Sequence, residues 1–190
     1  MKRSTQFLLV CVAISFWWLW PGGRQHTPPQ PQPGQMLSNG GFRVAAYSIY
    51  PLQDFSIEAR VLGREDYRLD RGSDLSPTDL ALGWGPMADP QVLSSIRITQ
   101  GNRWYYWRAD SMPIPRREIE THSANMHMIP ANDSVARTLA QVGKDDTIRL
   151  SGKLVRVEAD DGWRWISSLS REDTGAGACE LVWVESLERR

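Results

Sequence analysis

The sequence predicts an α+β protein made of a membrane anchor, a proline-rich linker and one mixed domain. Three observations predict it. A charge-free apolar run lies near the N-terminus, a segment dense in proline and glutamine follows, and the remainder mixes period-two alternation with short helix signals. The expected boundaries are 1–20 for a signal anchor or signal peptide, 21–36 for the linker and 37–190 for the globular domain.

The anchor comes first. Lys2 and Arg3 precede Phe7–Trp20, fourteen residues without a charge, which is the pattern of an export signal. Counted from Ser4, the uncharged stretch reaches the roughly 17 residues that the shortest spanning helices need. The exit Trp18-Leu19-Trp20-Pro21 offers no small-x-small cleavage site, and Trp17, Trp18 and Trp20 stand where an interfacial aromatic belt would lie. Val10 before Cys11 departs from a lipoprotein signal. The reading is a single-pass protein of the bacterial inner membrane, held in the bilayer through residues 4–20, with its C-terminal domain in the periplasm. A cleaved signal peptide is the alternative.

Pro21–Gln35 contains Pro21, Pro28, Pro29, Pro31 and Pro33 among glycine and glutamine, a composition that gives an extended, semi-rigid tether. Beyond it, Phe42–Ile49 and Phe55–Val61 read as strands. In the second, Phe55, Ile57, Ala59 and Val61 share one face. Ser76-Pro77 and Asp89-Pro90 read as helix starts, which predicts short helices over 77–82 and 90–95 with a turn at Gly83-Trp84-Gly85-Pro86 between them. Arg103–Arg108 has strand composition. Asp133 is expected to cap a third helix, Ser134–Val142, with Val135, Leu139 and Val142 on one stripe.

The last third reads as strands. Thr147–Glu158 alternates until Gly152, where a phase change predicts a bulge or barrel corner. Asp161-Gly162 turns the chain into Trp163–Ser167, Ser168–Ala178 is a loop, and Cys179–Leu187 closes the domain. Three consecutive antiparallel strands with a glycine-marked bend predict that the domain ends in an OB/SH3-like half-barrel. In Ile148–Leu187 the pattern resembles the OB-like periplasmic modules of bacteria.

Charge excludes one class of function. The 22 basic and 22 acidic residues of the chain cancel, and residues 1–35 hold three of the bases and no acid, so the domain carries 19 bases against 22 acids. Such a domain has no electrostatic reason to seek phosphate backbones, and no nucleic-acid partner is expected.

Four constellations carry candidate chemistry. Trp104, Tyr106, Trp163 and Trp165 fall on predicted strands and would form an aromatic ligand platform if exposed, or a core if buried. His122, Met126, His127 and Met128 combine imidazole and thioether, ligands that copper(I) prefers. Met126-His127-Met128 with abundant indole is similar to the small OB-fold copper carriers of the periplasm. In a strand, however, the two methionines face one way and His127 the other. Cys179 is the one cysteine beyond the anchor and a possible reactive thiol, provided a base and an electropositive setting reach it. Asp173-Thr174-Gly175-Ala176 matches the short aspartic-protease signature, but the polar Ser167–Glu172 precedes it where that enzyme class needs an apolar strand.

No catalytic set is complete and no cofactor motif is present. The expected function is therefore that of a membrane-anchored envelope protein whose exported domain binds a partner, protein or glycan, without catalysis. A soft-metal carrier or sensor and a Cys/His-dependent hydrolase or transferase are the alternatives.

Overall fold

Apolar residues at every second position recur through most of the domain, and its computed structural model is correspondingly a mixed α+β fold, mostly strands in a sheet with few helices. It describes residues 36–173 and 177–190. The anchor and all but the last residue of the 21–36 linker lie outside the described residues. Among the described residues no helix is long and apolar enough to cross a membrane.

The strands are β1 (Phe42–Val44), β2 (Tyr47–Asp66), β3 (Thr78–Gly83), β4 (Arg97–Gly101), β5 (Trp104–Arg108), β6 (Ser123–Pro130), β7 (Thr147–Ala159), β8 (Arg164–Ile166) and β9 (Glu180–Arg189). The helices are α1 (Pro90–Leu93), α2 (Arg116–Thr121) and α3 (Asp133–Gln141). In the main sheet the order is β1-β2-β3-β6-β9-β7-β8, and an additional β2–β7 pairing closes β2-β3-β6-β9-β7 into a ring. The twenty-residue β2 makes closure possible: Tyr47–Arg60 pairs with β7 and Arg60–Asp66 with β3. β6 and β9 run parallel, and the other pairs in the ring are antiparallel.

Period two sorts the side chains. Leu80, Leu82, Met126, Met128, Ile148, Leu150, Val182 and Val184 form one core with Val61. Val135, Leu139 and Val142 of α3 and its C-terminus join the same core. Asn132 starts this helix, its side chain accepting from Val135 N at 3.1 Å. Arg64 closes the other end by donating to Leu139 O and Val142 O at 2.6 and 2.8 Å, a cation on the last helical carbonyls. Gly152 stands at a register shift between β7 and β9, where an added Cβ would lie 1.9 Å from Trp183 O, so glycine is required at the bend.

Three expectations change. The segment 77–82 is not a helix but β3, all six of whose residues are buried. Leu80 and Leu82 face the ring core while Asp79 and Ala81 face away, a period-two pattern that the helix propensity of alanine and leucine obscures until both neighbouring strands pair with it. The strands of the C-terminal third are not a half-barrel on their own, because β2, β3 and β6 complete the ring that β7 and β9 begin. The third helix is capped by Asn132 rather than Asp133.

Residues 84–122 form an excursion between β3 and β6 with a small core of its own, in which Met87, Ile96 and Ile119 meet Leu62 and Ala81. The β4–β5 hairpin projects from it. Its two-residue turn, Asn102-Arg103, has φ of 54° and 68°, the left-handed pair that suits the twist of adjoining strands.

Candidate ligand cleft

The hairpin turn directs Arg103 onto the ring. Its guanidinium donates to Asp79 Oδ1 at 2.8 Å, to Ser76 O at 2.9 Å and to Asp70 at 2.8 and 3.2 Å. It lies 3.9 Å from the Tyr67 ring centroid, and its backbone N–H donates to the Tyr67 hydroxyl at 2.9 Å. Positive φ at a residue other than glycine costs energy, and these contacts offset it. Asp79 is fully buried, and Asn125 donates to its second oxygen at 3.2 Å and to Arg103 O at 3.1 Å. His127 Nδ1 lies 2.9 Å from Asp79 Oδ1, but off the line of an aligned hydrogen bond, and its ring packs at a 50° tilt against Trp165, centroids 4.7 Å apart. This network fixes β5 relative to β3 and β6.

Fixed in this way, β5 forms one wall of a cleft of about 330 Å³. The start of β6 and the first residue of β9 line its base, and Ser170, Arg171, Asp173, Ala178 and Cys179 form the opposite wall. Trp104 and Tyr106 project from one face of β5 and are 37% and 56% exposed. Tyr105 and Trp107 turn toward the small core, with the Tyr105 hydroxyl 3.0 Å from Ser123 Oγ. Trp84 completes the aromatic lining.

The charges on the lining are few and specific. Arg116 is held by Glu120 at 2.7 Å. Arg171 lies between two rings, 4.8 Å from Phe55 and 4.7 Å from Trp84, and burial lowers its pKa. Glu180 is 2% exposed, with Oε1 3.7 Å from Arg171 Nε. Its Oε2 and Arg171 Nη1 have no hydrogen-bond partner among the described residues. Burial pushes the Glu180 carboxyl up to about 7, with Arg171 pulling the other way.

The aromatic platform divides. Trp104 and Tyr106 line the cleft, whereas Trp163 and Trp165 pack edge to face at 5.9 Å in a separate cluster with Tyr47. Arg71 lies 5.0 Å from the Trp163 ring and Arg103 5.5 Å from that of Trp165.

The Met/His set is spread over three environments. Met126 and Met128 are buried in the ring core, His127 faces away from it beside Asp79, and His122 ends α2 with Nδ1 3.1 Å from both Glu118 O and Glu118 Oε2. Among the described residues no group of three or more His, Cys, Asp and Glu is placed to hold a metal ion.

Cys179 lies on the cleft wall, its Sγ 3.9 Å from Arg103 O. Burial first, then Glu180, Asp79 and Asp173, push its thiol up to about 12, so it stays protonated at neutral pH and lacks the electropositive setting that a nucleophile needs. Asp173 accepts from Ser168 Oγ at 2.7 Å, and the rest of the Asp-Thr-Gly-Ala match lies outside the described residues.

Glu180, Arg171, Asp79 and Asn125 were not singled out as site residues from the sequence. One of them was readable: alternation along β9 sets Glu180 on the face of Val182 and Val184, which makes it an acid on a core-facing position. Arg171 left no such signal, because it belongs to a loop.

Comparison with protein-family models, curated protein sequences and solved structures gave no match.

Proposed function

We propose that this chain is a membrane-tethered envelope protein whose domain is a non-catalytic binding module of OB type, taking a partner, protein or glycan, in the cleft beside β5. The ring order supports the OB reading: first, second, third, fifth and fourth strands, returning to the first, with a helix between the third and fourth. Barrels of this class bind extended ligands beside their second and third strands and adjoining loops. Here β3 and β6 hold those places, and the cleft adjoins β6.

One observation carries the reading. The cleft combines exposed aromatic walls with a protonated thiol and an arginine already fixed between rings, which suits holding a ligand better than attacking one. The near-neutral domain argues against a nucleic-acid partner. The basic start, apolar run and proline-rich tether are the reasons for locating it at the inner membrane with the domain in the periplasm.

Two experiments test this. A photo-crosslinking residue at Tyr106 in the full chain in cells is expected to give adducts, and the same residue at Arg149, on the distant part of β7, is not. Equal labelling from both positions, or none from Tyr106, overturns the binding reading. Deleting residues 1–20 is expected to release the protein from the membrane fraction, and retention there overturns the anchor.

A further inference from the structure

We infer that the cleft takes an extended segment of a partner protein, which adds to the hairpin as a third strand along the free edge of β5. This rests on the binding-module reading and names the class of its partner.

The hairpin register decides which backbone groups are free. Gly101 and Trp104 flank the two-residue turn, so they form a hydrogen-bonded pair, and such pairs recur at Thr99↔Tyr106 and Arg97↔Arg108. Tyr105 and Trp107 lie between them and turn their N–H and C=O groups away from β4. β5 pairs with no second strand, and the backbone groups of these two residues have no hydrogen-bond partner among the described residues.

This edge is directed at the cleft. At its turn end, Arg103 O accepts from Asn125 Nδ2 at 3.1 Å and lies 3.9 Å from Cys179 Sγ, and both partners belong to the lining. Farther along, Tyr105 and Trp107 line the cleft themselves. The other side of the hairpin, β4, lies against β2.

Donor and acceptor pairs at every second residue are the complement of another strand, which offers the same groups at the same spacing. Strand addition of this kind draws affinity from the main chain and specificity from alternate side chains. The main sheet blunts its own edges, since β1 and β8 have three residues each. β5 has five, with no proline to block pairing. An added strand would set one row of side chains beside Trp104 and Tyr106 on the exposed face of the hairpin. Its other row would meet the small residues Ser123, Ala124 and Cys179. Charges on the lining are balanced locally, Arg116 by Glu120 and Arg171 by Glu180, which matches the uncharged amides of a strand. The volume of about 330 Å³ is at the small end for ligand sites and suits a segment of about three residues along Tyr105–Trp107.

The test is selection of linear heptapeptides from a phage-displayed random library on the full chain in phosphatidylcholine nanodiscs, with empty nanodiscs as counter-selection. At least one enriched peptide, once synthesised, is expected to bind saturably with Kd at or below about 100 μM. In singly N-methylated versions, methylation of alternate amides is expected to weaken binding at least about tenfold, and of the intervening amides less than about twofold. Exchange of the Tyr105 and Trp107 amide hydrogens is expected to slow at least about tenfold on binding, while that of Tyr106, already bonded to β4, stays the same. Tyr106→Ala is expected to bind about fivefold more weakly, and Arg149→Ala as the parent does.

No enriched peptide overturns the inference. A methylation scan without alternation, unchanged exchange at Tyr105 and Trp107, or unchanged affinity in Tyr106→Ala also overturns it, because the peptide would then be held by side chains or elsewhere. Adducts from Tyr106 in cells alongside any of these failures leave the broader reading standing, whereas the absence of adducts and of peptide binding removes both.

Discussion

Two acids are buried in this domain, on opposite faces of the sheet, and they live differently. Asp79 is saturated: Arg103 and Asn125 take its two oxygens, and His127 stands beside it. Glu180 has one oxygen 3.7 Å from Arg171 and the other buried without a hydrogen-bond partner among the described residues, in a residue on the cleft lining. The first region is a lock that fixes the β4–β5 hairpin to the ring. The second is a buried acid whose hydrogen bonding is incomplete among the described residues. Burial alone therefore does not describe a buried acid; the count of its satisfied oxygens separates these two.

The comparison breaks most visibly at Asp79. Asp79→Ala leaves Arg103 and Asn125 facing an apolar gap, and a loss of roughly 3–5 kcal/mol is expected in denaturant unfolding. A loss below about 1 kcal/mol would show that Asp70 alone holds the hairpin.

Burial first, then both acids, raise the thiol of Cys179. Its alkylation at pH 8, followed on its own peptide by mass spectrometry, is expected to run at least about a hundredfold slower than in the unfolded chain. Equal rates would return the thiol to the list of candidate nucleophiles.

Glu180 should respond with the opposite sign to Asp79. Its carboxyl is raised from 4.5 to about 7 in the fold, so across that range the folded state keeps a proton that the unfolded chain releases. Its contribution to stability then falls as pH rises from 4.5 to about 7 and is level above that. Glu180→Gln removes the penalty, so at pH 8 the variant is expected to be more stable than the parent by on the order of 3 kcal/mol, with little difference at pH 4. Destabilisation at pH 8 would make Glu180 a second lock.

The smallest effect belongs to the wall. Tyr106→Ala is expected to change stability by less than about 0.5 kcal/mol while weakening ligand binding, which separates the cleft from the fold.

Local patterns were legible without coordinates. The alternation at Phe55–Val61, the bend at Gly152, the turn at Asp161-Gly162 and the stripe Val135/Leu139/Val142 all report short-range periodicity, and all recur in the structure. Alternation also separated Met126 and Met128 from His127, and the fold keeps them apart. The segment 77–82 was misread because its strand character comes from β2 and β6, which are distant in sequence.

The cleft was half legible. Trp104 and Tyr106 stood out by composition, but nothing local distinguishes them from Trp163 and Trp165, which pack elsewhere. Arg171 reaches the base through a loop, and no periodicity governs a loop.

By itself, then, the sequence determined the alternating faces, the glycine bend, the near-neutral charge of the domain and the supply of aromatic residues. These depend on residue type and spacing alone. Only the tertiary structure decided that the strands close through β2 and β7, that Asp79 is satisfied while Glu180 keeps one oxygen unpartnered among the described residues, and which aromatic rings meet solvent. Each of those depends on contacts between residues far apart in the chain, and burial is a property of the assembled ring rather than of any residue in it.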